Sequence, residues 1–145
     1  MNTHRIHQRF SLQATERLRL RKQIETLFQS GEAFSLFPFR VVYRFVAREP
    51  VEVSPVRVGF VVPKKRIRKA VHRNRIRRLA KEAWRLQKHD LYAAMPENRQ
   101  LHCFLIFTGK EPFTFPDAEK AVAGILKRLS TLAKGLLPAQ TEEET

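Results

Sequence analysis

Apolar residues recur along the chain in two rhythms that exchange places several times. Between residues 17 and 29, Leu18, Leu20, Ile24, Leu27 and Phe28 predict a first helix, with Ile24, Leu27 and Phe28 forming an i, i+3, i+4 stripe. Gly31 stands where a left-handed glycine commonly closes such a helix. From Phe34 to Val46 the rhythm shortens to two: Phe37, Phe39, Val41, Tyr43 and Phe45 alternate with Pro38, Arg40, Val42, Arg44 and Val46. That alternation predicts one strand with a richly apolar face and a mixed one. The stretch from Glu49 to Pro55 reads as a loop, and Val56 to Val62 as a second strand that Pro63 ends, because proline has no N–H for a ladder. Two strands joined by a short loop suggest an antiparallel pair. Gly59 inside the second strand marks a close backbone approach or a bulge.

A helical rhythm returns between Arg73 and Lys88, then a strand from Leu101 to Thr108. Thr114 followed by Asp117 resembles a capping box opening a last helix, with Pro116 in its first turn. Val122, Ile125, Leu126, Leu129, Leu132 and Leu136 form its core stripe, and Gly135 its stop. Phe113 and Phe115 flank its start as a staple. The order helix, strands, helix, strand, helix predicts an α+β fold, a two-layer sandwich built on one sheet. We divide the 145 residues into a single domain over 1–136, with 1–16 as a flexible arm, and a disordered tail over 137–145 that carries Glu142, Glu143 and Glu144. Phe10 and Leu12 in the arm are spaced to pair as a short extended segment over the core.

Charge is what turns this pattern towards function. The chain holds 28 Lys and Arg against 14 Asp and Glu, a net +14, with a pI near 10.9. Twelve of the basic side chains fall between Lys64 and Lys88, where Glu82 is the one acid. On a helical wheel Leu79, Ala80, Ala83 and Trp84 lie within about 80° of Ile76. Arg77, Arg78, Lys81, Arg85 and Lys88 occupy the sector from about 100° to 200°, with Asn74 among them. A solvated helix face usually mixes signs at i, i+4 spacing. An almost unrelieved cationic stripe on a helix with an apolar opposite side fits a polyanion instead. Arginine dominates the stripe, and its planar fork suits phosphate or a base face.

Other chemistries find little support. His4, His7, His72, His89 and His102 make no metal spacing, and Cys103 has no second cysteine. There is no phosphate-binding glycine loop, and no run of about 20 apolar residues to span a membrane. The expectation is a soluble cytoplasmic protein with no protein-held cofactor and no small-molecule substrate.

The segment Lys64-Lys65-Arg66-Ile67-Arg68-Lys69-Ala70-Val71-His72-Arg73-Asn74-Arg75-Ile76-Arg77-Arg78-Leu79 resembles the signature of the bacterial ribonuclease P protein subunit. Val58 to Val62 resembles that family's preceding strand, and Ile24 to Gly31 its early helix; the likeness runs from about Phe10 to Leu132. The resemblance implies an α-β-β-β-α-β-α order with a left-handed crossover, like the second domain of ribosomal protein S5. It implies a subunit that pairs with a catalytic RNA and with precursor tRNA, the RNA removing the 5′ leader with magnesium. By the same resemblance, Arg68, Lys69, Arg73, Asn74, Arg75, Arg77, Arg78, Lys81 and Arg85 contact the catalytic RNA. Phe28, Tyr43, Lys64 and Lys65 contact the leader, in a cleft between the first helix and the sheet. On periodicity alone Phe28 and Tyr43 read as core residues. Two departures from the family pattern are Pro63 before the lysine pair and Ile24 where a second aromatic is common. The alternative function is a structural ribosomal or RNA-chaperone protein that lays the same helix on ribosomal RNA. A helix-turn-helix DNA binder is disfavoured, because strands flank the basic helix.

Overall fold

Nine backbone pairs join Phe39–Ala47 to Arg99–Phe107 and make these two strands the middle of a four-stranded sheet. The computed structural model describes residues 12–136, so Phe10 and the acidic tail lie outside the described residues. In chain order the elements are a short 3-10 turn Ala14–Glu16, α1 Arg21–Ser30, β1 Glu32–Leu36, β2 Phe39–Ala47 and β3 Val56–Val61. Then follow α2 Ala70–Gln87, α3 His89–Ala94, β4 Arg99–Phe107 and α4 Phe115–Lys134. The sheet order is β1-β2-β4-β3.

The long alternating segment is a hairpin and not one strand. Phe37 and Pro38 form its turn, and Leu36 pairs with Phe39 across it. Proline favours a turn here because it brings no N–H to a ladder. The hairpin puts Phe34 opposite Val41, so both face the core although they differ in parity. Phe37, read as a core-facing position in a single strand, is 79% exposed at the tip.

The expected antiparallel pairing of the 34–46 strand with the 56–62 strand is also overturned. β4 inserts between β2 and β3, antiparallel to β2 and parallel to β3. Its composition explains the place: Leu101, Cys103, Leu105 and Phe107 are fully buried on one face, and Gln100 and His102 are buried on the other. A strand covered on both faces gains most from a central position. The exposed edge of β3 is covered by the N-terminal segment, where the Leu18 N–H donates to the Val58 carbonyl at 3.0 Å.

α2 and α4 lie on the core face of the sheet, burying Ile76, Ala80, Ala83 and Trp84 from one helix and Val122, Ile125 and Leu129 from the other. Trp84 donates from Nε1 to the Tyr92 hydroxyl at 3.2 Å. The Thr114 cap forms as expected: the Asp117 carboxylate accepts from the Thr114 N–H at 2.9 Å and from its hydroxyl at 3.0 Å. Those two bonds hold the Asp117 carboxyl below its ordinary range. Phe113 is buried against Phe39 and Phe107.

Three local expectations change. α1 begins at Arg21, because Leu18 and Leu20 belong to the extended segment that leads into it. Gly31 is extended, with φ −79° and ψ 168°, so a left-handed cap is not its purpose. A Cβ there would stand 2.5 Å from the Leu27 carbonyl oxygen and 2.9 Å from that of Tyr43, so the glycine is required by close backbone approach. The short helix α3 has no counterpart in the periodic pattern; it buries Leu91 and Ala94.

Candidate nucleic-acid interface

Two surfaces carry the sequence-predicted residues, on opposite sides of the sheet. The first is the outward face of α2 with the loop that leads into it. After β3 the chain turns at once: the Pro63 carbonyl accepts from the N–H groups of Arg66 and Ile67 at 3.0 and 3.2 Å. Buried Val62 and Ile67 plug the two ends of this turn into the core, which leaves Lys64, Lys65 and Arg66 exposed. Arg68 and Lys69 follow, also exposed, with Lys69 at the helix N-cap.

The cations of this face are not equivalent. Arg73 folds back, and its Nη1 donates to the carbonyls of Ile67 at 3.0 Å and Arg68 at 2.7 Å. That bond pair clamps the basic loop to the first turn of the helix. Asn74 accepts from Arg77 through its side-chain oxygen, which fixes that guanidinium on the surface. Arg85 is neutralised by Glu82 in a two-pronged pair at 3.1 and 2.5 Å. Lys88, in the cationic sector of the wheel, pairs with Glu16 at 2.6 Å and sits over the Tyr92 ring. Arg68, Lys69, Arg75 and Arg78 are exposed and have no side-chain partner among the described residues. Lys81 is held below the usual lysine range, first by partial desolvation and then by the charges of Arg17 and Arg77. Three cations crowded this way favour an anion between them.

Arg17 is a member of this face that the sequence reading placed at the border of the arm. The arm is folded as far back as Leu12, which is buried, as is Glu16. Glu16 pins the segment to α2 through Lys88, and the Arg57 guanidinium donates to the Arg17 carbonyl at 2.9 Å. Only the fold brings Arg17 beside α2, and no local motif announces it.

The second surface is the sheet face turned away from α2 and α4. α1 crosses it, burying Leu27 with Leu18 and Val42 in a small second core that Ile24, Phe104 and Ile106 complete. Phe28 on α1 is 48% exposed and meets Phe104 edge-on, with centroids 5.5 Å apart and rings at 86°. Exposed Arg40 and Arg44 share the strand parity of Val42 and so stand on this same face. Lys64 and Lys65 follow the end of β3 after Val62 and Pro63.

Tyr43 does not join Phe28. Strand parity turns it to the other face, where it is buried between Phe34 and Phe45 and donates to the Glu32 carboxylate at 3.2 Å. Burial raises its hydroxyl pKa, and the Glu32 bond and charge raise it further. Val42 occupies the position on the α1 side, so the expectation of a leader-facing Tyr43 is corrected by one residue of register. Phe104 of β4 lies under Phe28 on the α1 side.

A polar network occupies the remainder of this face. Arg57 donates from Nε and Nη2 to Glu52 at 3.0 and 2.7 Å, and the Gln100 amide donates to the same carboxylate oxygen at 3.0 Å. Burial opposes ionisation of Glu52, but the bonds from Gln100 and Arg57 and the Arg57 charge outweigh it and leave its pKa lowered. His102 bonds Gln100 Oε1 at 2.9 Å, and burial together with the Arg57 charge pushes its pKa down to about 4. It is therefore a neutral, structural imidazole near neutral pH.

The family model described as Ribonuclease P matches residues 12–130. The ribonuclease P protein component of Porphyromonas gingivalis strain W83 is 41% identical over 124 residues, covering 83% of this chain and 88% of that one. The solved ribonuclease P protein of Thermotoga maritima is 27% identical with a TM-score of 0.59, covering 78% of this chain and 96% of that one. That of Staphylococcus aureus shares the fold with a TM-score of 0.60 at 19% identity, covering 78% of this chain and 94% of that one. With the basic helix set between a parallel pair of strands and matched over most of its length, the chain belongs to the bacterial ribonuclease P protein family, the RNA-binding subunit of the tRNA 5′-processing enzyme.

Proposed function

We propose that the chain divides its work between its two surfaces: the α2 face seats on the catalytic RNA, and the α1-covered sheet face receives the single-stranded 5′ leader of precursor tRNA. The observation that carries this reading is the separation itself. The cationic helix face has few apolar groups to offer a base, whereas the α1 side combines a half-exposed aromatic ring with flanking arginines. A duplex or folded RNA presents phosphate arrays, which suit the first surface. An unpaired strand presents base faces as well, which suit the second.

On this reading Arg68, Lys69, Arg75, Arg77, Arg78 and Lys81 face the RNA phosphates. Arg73 shapes the loop that carries two of them, and Arg17 extends the patch. Magnesium belongs to the RNA in this scheme. Among the described residues no three His, Cys, Asp or Glu side chains gather as a metal site. The protein's part is to hold the leader and to screen phosphate repulsion between two RNAs. No described helix is long and apolar enough to cross a membrane. A ribosomal or chaperone role is not favoured, since the relatives found carry the ribonuclease P name.

The test is reconstitution with a bacterial ribonuclease P RNA at low magnesium, scored by cleavage of precursor tRNA. The expected result is strong stimulation by the protein. A protein that binds the RNA but leaves cleavage and precursor affinity unaltered would defeat the proposal.

A further inference from the structure

The α1 side of the sheet carries a ring that neither the helical stripe nor the Arg-Asn-Arg motif points to. Phe104 stands on central strand β4, with Val42 of β2 and Gly59 of β3 as its ladder neighbours. Its ring leans over Gly59: a Cβ at that position would lie 2.0 Å from Phe104 Cε1 and 2.4 Å from Cδ1. Any residue but glycine there would drive the ring out of place. From the helix side Phe28 meets it at 86°, so the two rings form a right-angled corner that is open to solvent on the Phe28 side. Among the described residues no other aromatic ring pairs with these two. One turn before Phe28 stands Ile24, and β2 presents Val42 while its Tyr43 points away.

We infer that Phe104 is a second base-contacting residue of the single-stranded RNA trough, and that Gly59 is the residue that makes its placement possible. The inference rests on the reading that this trough holds the leader. A flat base seated in a corner of two perpendicular rings lays its face on one and its edge on the other, an arrangement aromatic pairs favour. Every base has a π-face, so such a contact tolerates any leader sequence. The corner supplies from β4 the aromatic surface that Ile24 and Val42 withhold.

The experiment uses holoenzyme reconstituted with a bacterial ribonuclease P RNA. Affinity is measured for a precursor tRNA with a long single-stranded leader and for the same tRNA with the leader cut back to one nucleotide. The variants are Phe104→Leu, which keeps apolar bulk without the ring, Gly59→Ala, which displaces the ring, and Phe28→Leu. Thermal unfolding and RNA assembly are read for each. Stacking on one ring corresponds to about 5- to 150-fold in affinity. Phe104→Leu and Gly59→Ala are expected to lose about fivefold or more on the long-leader substrate only. If Phe28→Leu loses leader-dependent affinity and Phe104→Leu does not, the Phe104 assignment is overturned while the trough reading stands. If neither changes it, the trough reading itself falls. Equal losses on both substrates make Phe104 a packing residue and likewise overturn the assignment. Should Gly59→Ala fail to fold, Phe104→Leu decides alone.

Discussion

Arg73 separates two kinds of basic residue that the charge pattern treats alike. In Arg73→Ala the helix loses a guanidinium that bridges the Ile67 and Arg68 carbonyls at 3.0 and 2.7 Å. Hydrogen bonds from a charged donor contribute about 1.5–3 kcal/mol when buried. Here one carbonyl is half-buried and the other exposed, so we expect a combined loss of about 1–2 kcal/mol after solvent takes the place of the fork. For a domain of this size that lowers Tm by about 3–7 °C. Arg75→Ala, at an exposed position with no side-chain partner among the described residues, leaves Tm within about 2 °C. The RNA assay reverses the ranking. Each lost phosphate contact removes about 0.7–0.9 from the slope of log affinity against log salt. Arg75→Ala should flatten the slope by that amount. Arg73→Ala should weaken binding through a loosened loop, with much less change in slope. Thermal unfolding and a salt titration of binding to the RNA settle the matter. An Arg73→Ala protein with unchanged Tm and a slope reduced by a full contact would refute the clamp.

Other predictions read different parts of the molecule. His102 takes up a proton below its ordinary value of 6.5 in the unfolded chain but only below about 4 in the folded protein. Between those values the unfolded state binds more protons, so stability falls as pH drops from 6.5 to 4, by about 3 kcal/mol at most. His102→Gln should remove that part of the slope in urea unfolding at pH 7 and pH 4.5, and an unaltered slope would assign it elsewhere. Glu16→Gln strips Lys88 of its partner in a largely buried pair and should cost about 1–3 kcal/mol, measured by urea unfolding. Gly31→Ala pushes a methyl group into two backbone carbonyls and should cost about 2 kcal/mol or more by the same assay. Cys103 is fully buried and burial raises its thiol pKa, so thiol reagents should label it only as fast as the protein opens.

The periodic signals that depended on local chemistry were legible. The α2 and α4 stripes and the Thr114–Asp117 cap can be derived from neighbouring residues. The crowding at Gly59 comes from the side-chain ring of Phe104 on another strand, not from the backbone approach or bulge expected there. The errors have one source, long-range pairing. Core-facing positions change parity across the two-residue turn, from Phe34 to Val41, but exposed Phe37 extends the odd-numbered apolar series of β2 into the turn, so nothing but Pro38 marks the break between β1 and β2. Partner choice among strands is set by which strand is apolar on both faces, and His102 and Gln100 disguise that property in β4. The candidate site divides the same way. The exposed cations of α2 were legible from the wheel, but which of them have partners depends on Glu16 and on the Ile67 carbonyl. Tyr43 lies on the core face that its place in the alternating strand predicts, and only the family resemblance pointed it at the leader.

The central place of β4 also dictates an order of events. β2 and β3 share no ladder, so β3 has no strand partner until residues 99–107 exist. At a synthesis rate of about 5–20 residues per second, the chain between the end of β3 and the end of β4 takes a few seconds to emerge. In the later part of that interval, once Gln87 is made, the basic helix is complete while the sheet that should bury its apolar side is still open. Ile76, Ala80, Ala83 and Trp84 have only β3 and early segments to lean on until β4 and α4 arrive. A nascent chain of this protein is therefore a cationic amphipathic helix awaiting its core, and the strand made second to last among its elements closes the fold.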